Sequence, residues 1–87
     1  MTRFKVTLQT RAGRVVHREL VAAETPGDAR TLAIREKYGP RVFWDAAEDN
    51  PRAGRVVDLA EKRRGTKTRL VEKPLTPCLA LKIERMR

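Results

Sequence analysis

An α+β domain with one helix packed on a mostly antiparallel sheet, in the order β-β-α-β-β-β-β, is the fold this chain predicts. Three observations predict it. Residues 3–10 alternate apolar and polar side chains with a period of two. The clearest helix start, Thr25-Pro26-Gly27-Asp28, is answered by a stop, Gly39-Pro40. After that stop, runs rich in strand formers recur between turn residues to the end of the chain. At 87 residues there is room for one core, so the expectation is a single basic domain over 1–87.

In the first strand Phe4, Val6 and Leu8 share one face, and Arg3, Lys5, Thr7 and Gln9 share a solvated one. Arg11-Ala12-Gly13 makes a loop whose glycine can take a positive φ, and residues 14–23 return as the second strand of a hairpin. With Val21 and Ala23 inward, Val15, His17 and Glu19 fall on the same face, unless a bulge changes the phase. Thr25 then caps a helix over about 26–38, with Pro26 at its first position and Asp28 near the positive end of its dipole. Ala29, Leu32 and Ala33 form the packing stripe, Ile34 and Tyr38 flank it, and Arg30, Arg35 and Lys37 stay in water.

Residues 41–47 carry Val42, Phe43 and Trp44 in a row, a third strand supplying the largest core groups. Two readings of the next segment are open. Asn50-Pro51 can cap a second helix over 51–64, with Ala53, Val56, Val57 and Ala60 as its stripe. Alternatively, Pro51 and Gly54 form a turn, Gly54 in the left-handed conformation, that leads into a strand over 55–60. The hairpin is preferred, because Gly54 inside a helix costs about 1 kcal/mol. Residues 62–66 read as the next turn and 67–73 as the next strand, with Leu70 facing the core. Pro74 and Pro77 bracket a connection, since neither can donate to a ladder. Residues 78–85 close the sheet with Leu79, Leu81 and Ile83 on one face. The strand-hairpin-helix opening, with its run from Val21 to Ala29, is similar to many unrelated two-strand-plus-helix units, ribosomal and double-stranded-RNA-binding ones among them. It lacks their defining residues and carries no function across.

The inventory closes off most chemistry. There is no Ser to act as a nucleophile, and His17 and Cys78 are each alone, too few for a structural zinc set. A lone thiol asks for no oxidising compartment, so a cytoplasmic location is expected. The longest apolar runs are three or four residues against the roughly 20 of a membrane span, and the first residues lack a signal-peptide run. The preference for Arg and Ala suggests a GC-rich bacterial or bacteriophage gene. Gly65-Thr66-Lys67-Thr68 lacks the glycine five residues earlier that a phosphate-binding loop requires. His17 with Glu19 reads as a polar rim contact, Cys78 as a small buried hydrophobe, and Asp45, Glu48, Asp49 and Asp58 as solvated turn carboxylates. No catalytic residue, metal site or cofactor is expected, and the chain reads as non-enzymatic.

What remains is charge. Twenty Lys plus Arg stand against 11 Asp plus Glu, a net +9, while 40% apolar residues suffice for a folded core. Between residues 62 and 73 lie Lys62, Arg63, Arg64, Lys67, Arg69 and Lys73 against the single Glu72. More than half of the excess thus sits on one hairpin, with Lys67, Arg69 and Lys73 on one face and Arg63 and Arg64 at its tip. A basic β-ribbon suits a DNA groove or an RNA backbone, and the expectation is phosphate contact of low sequence specificity, helped by Arg3 and Lys5. Four aromatic residues, mostly wanted for the core, leave no base-stacking platform. The alternative is an accessory or inhibitory module docking on an acidic protein surface, with an edge strand able to pair two copies into a homodimer.

Overall fold

A computed structural model describes residues 1–86. The elements are β1 (Thr2–Gln9), β2 (Val15–Ala23), α1 (Pro26–Tyr38), β3 (Val42–Ala47), β4 (Asn50–Arg64), β5 (Lys67–Pro74) and β6 (Leu79–Met86). One helix and six antiparallel strands make the α+β domain that the alternation and capping signals predict. The sheet runs β2-β1-β6-β4-β3, and β5 pairs with β4 off that path.

Phe4, Val6 and Leu8 are buried on the helix side together with Val21, Ala23, Leu79, Leu81, Val42, Trp44 and Val56. On the reverse, Thr7 is only 2% exposed, closed in by its register partners Arg18 and Lys82 rather than solvated. A bulge between Leu8 and Gln9 resets the phase of β2, so Val16 packs on the core and Val15 is turned out.

Helix α1 begins where Thr25 Oγ1 accepts the Asp28 N–H at 3.1 Å and ends at Gly39, φ +116°. Its buried residues are Ala29, Ala33 and Ile34. Leu32, expected in the stripe, is 48% exposed, because the helix is rolled toward Ile34. Burial also raises the pKa of the Tyr38 phenol above its ordinary value. The helix packs chiefly on β2 and β3, the two ends of the strand order. Those strands are four spacings apart, about 19 Å if flat, against ~10–12 Å for a helix. The sheet therefore curls around it.

The segment after β3 is a strand, as preferred, but it turns earlier than expected. Ala47 pairs with Asn50 around Glu48-Asp49, and residues 51–53 bulge before Gly54 rejoins opposite Ala46. Gly54 does not take a positive φ; among the described residues only Gly13, Gly39 and Gly65 do. What it supplies is absence of bulk, since a Cβ there would overlap the Asp45 carbonyl oxygen and stand 2.9 Å from Trp44 Cε2. The same close approach lets Trp44 Nε1 donate to the Pro51 carbonyl at 3.2 Å.

Strand β4 is the hinge of the topology. One edge pairs with β3 as far as Asp58. The other meets β6 only at Ala53 and Gly54, then β5 from Val57 to Arg64. The connection between β5 and β6 fills the gap: Leu75 N donates to the Val56 carbonyl at 2.8 Å, and Val56 N donates to Thr76 Oγ1 at 3.0 Å. Pro74 and Pro77 flank this bridge.

Candidate nucleic-acid interface

Beyond Asp58, β4 has lost β3, and among the described residues the ladder from Ala60 to Arg64 pairs with β5 alone. Strand β4 thus continues past the 55–60 read from sequence, and Lys62, Arg63 and Arg64 lie in the ladder rather than in a turn. The turn is Gly65-Thr66, with Gly65 at φ +65° and Thr66 not positive, the pattern of a type II′ hairpin. The result is a two-stranded ribbon projecting from the curled sheet, with every residue from 61 to 70 exposed.

Register divides this ribbon into two unlike faces. The cross-strand pairs Asp58–Lys73, Ala60–Val71, Lys62–Arg69 and Arg64–Lys67 alternate with Leu59–Glu72, Glu61–Leu70 and Arg63–Thr68. The first set, in phase with the core-facing Val56, gathers five of the six cations; the second carries Arg63 with Glu61 and Glu72. Lys67, Arg69 and Lys73 do share a face, as expected. Leu70 lies on the other, yet at 65% exposure it faces solvent and no core. Val71 is the residue that turns toward the body, half-buried against Ala60.

Among the described residues none of these six cations has a carboxylate within 4.0 Å; the four ion pairs lie elsewhere. Lys62 faces Arg69 and Arg64 faces Lys67, an arrangement that destabilises an isolated ladder by a few tenths of a kcal/mol per pair.

Arg3 and Lys5 do not join this face. Arg3 pairs with Met86 at the far end of β6, whereas the ribbon departs beyond the other end. About 15 strand positions, or roughly 50 Å at ~3.3 Å each, separate Arg3 from Lys62. Lys5 Nζ is moreover 3.7 Å from Glu84 Oε1. Two other cations stand closer: Arg35 and Arg41 line a hollow at the ribbon's base with Leu59, Glu61 and Leu70, residues of the second set. The Arg41 carbonyl accepts the Leu59 N–H at 3.2 Å. The one signal for the longer β4 was the two-residue Gly65-Thr66 loop, since alternation stops at Ala60.

The remaining candidates are dispersed. Asp45 pairs with Arg55 at 3.2 Å, Asp58 opposes Lys73, and Glu48-Asp49 form a turn. His17 Nε2 is 3.5 Å from Glu19 Oε1, and Cys78 is half-buried. Among the described residues no group of three or more His, Cys, Asp or Glu side chains is placed to hold a metal, and no helix is long and apolar enough to cross a membrane. Comparison with protein-family models, with curated proteins and with solved structures gives no match to this chain.

Proposed function

We propose that this chain is a non-enzymatic nucleic-acid-binding domain whose β4–β5 ribbon contacts phosphates with low sequence specificity, in a cytoplasmic setting. The observation that carries this reading is five cations on one face of a ribbon, without carboxylate partners within 4.0 Å among the described residues and outside the core. Solubility alone asks only for charge on an exposed edge and is satisfied by either face. Segregation of the cations, with like charges opposed, is what a polyanion would relieve. The test is binding to nucleic acid across a salt series. Affinity should fall with a log–log slope of up to about 4 to 5 on duplex DNA, given about 0.9 per phosphate neutralised. Replacing Lys62, Arg64, Lys67 and Arg69 by Ala should abolish binding while the fold persists. Salt-insensitive binding, or binding that survives those changes, rejects the reading.

A second reading has its own support. The outer edges of β2 and β5 are unpaired among the described residues, and Leu20 and Leu70 are each 65% exposed. These features suit an accessory module that docks on an acidic protein or pairs with a second copy. Polyglutamate that displaces the protein from a column as readily as DNA of equal charge would favour it.

A further inference from the structure

Resting on the reading above, we infer that the ribbon is built for the major groove of B-form DNA, entered with the Lys62/Arg64/Lys67/Arg69 face toward the groove floor. Two strands about 4.8 Å apart, with their side chains, fit a groove ≈ 12 Å wide as it stands, whereas one of ≈ 6 Å admits them only if the DNA is bent and the groove opened. The major groove of an RNA duplex is too narrow and deep to admit them. The ribbon is free to enter, because residues 61–70 are all exposed and, among the described residues, both its edges are unpaired there.

Its charges come as two rows, Lys62 and Arg64 on β4 and Lys67, Arg69 and Lys73 on β5. A groove has two phosphate walls, one for each row. A lone strand has one backbone, and its recognition relies on aromatic stacking. The ribbon carries no aromatic side chain; Phe4, Tyr38, Phe43 and Trp44 all belong to the body of the domain. The reverse sets Glu61 and Glu72 against the single Arg63, whereas the cationic face has one carboxylate, Asp58, at its base opposite Lys73, so the face with five cations is the one a phosphate-lined groove favours.

The full chain is titrated with a short mixed-sequence DNA duplex, an RNA duplex of the same sequence and a single strand of thymidines. Guanine N7, which lies in the major groove, and adenine N3, which lies in the minor groove, are then probed with dimethyl sulfate on the saturated DNA duplex. The expected result is tightest binding to the DNA duplex, with N7 protected and N3 reactive. Arg69→Ser should lower the salt slope by about 1, whereas Arg63→Ser, on the reverse face, leaves affinity for DNA unchanged. Reactive N7 on a saturated duplex, or binding as tight to RNA or to the single strand, overturns the groove and leaves phosphate binding standing. Absence of salt-sensitive binding to all three overturns both.

Discussion

At Gly54 two strands and an indole ring meet with no room for a methyl group. The neighbours there are the Asp45 backbone oxygen and the buried ring of Trp44, neither of which can swing aside. Gly54→Ala should therefore destabilise by about 1–3 kcal/mol, read as a fall in Tm of several degrees at least. An unchanged Tm would mean that β3 and β4 slide apart freely. The need for glycine was legible in the sequence, but for another reason, a left-handed turn. Steric contact between residues nine and ten apart is not written in the local pattern. Thr25, by contrast, caps its helix as its local context predicts, because the hydroxyl and the amide it accepts are three residues apart.

Among the elements, β4 departs most from its local reading. Its residues 50–64 serve three partner strands in turn, and the changeover at Val56 is closed by Thr76 rather than by a ladder. Thr76→Val removes that acceptor and leaves the amide of a fully buried residue unpaired. A loss of about 1–3 kcal/mol in chemical denaturation is expected, with Thr76→Ser retaining most of the stability. If Thr76→Val is as stable as the parent, the bridge contributes nothing. The ribbon strands were legible as a basic hairpin, and Lys67, Arg69 and Lys73 as one face of it. The reach of β4 was not, because charged residues at 61–64 resemble a turn when no apolar partner marks the strand.

For the molecule as a whole, the ribbon shows in its dimensions. The radius of gyration is 14.4 Å and the long axis 52 Å, whereas a compact chain of this length gives about 12 Å. A two-stranded ribbon without a core beneath it contributes little to stability. Replacing residues 61–70 by Asn-Gly, so that the register partners Ala60 and Val71 flank a two-residue turn, should leave Tm within a few degrees of the parent. X-ray scattering should show the radius of gyration contracting toward the compact value, and nucleic-acid binding should vanish. Loss of cooperative unfolding in the shortened chain would show instead that the ribbon supports the fold.

By itself the sequence determined the bounds of the helix, the order of the elements apart from 51–64, which it left open to a second helix, and the stretch that holds most of the net charge. Period-two alternation, caps and turn glycines act over a few residues and are readable one segment at a time. Only the tertiary structure decided which other cations stand with Lys67, Arg69 and Lys73. Insertion of β6 between β1 and β4 sends Arg3 and Lys5 to the far end of the domain, and the start of β3 at Val42, opposite Asp58, frees the ribbon beyond it. Register then assigns Arg64 to one face and Arg63 to the other. These are consequences of pairing between distant segments, where a shift of one residue exchanges the faces and no local preference opposes it.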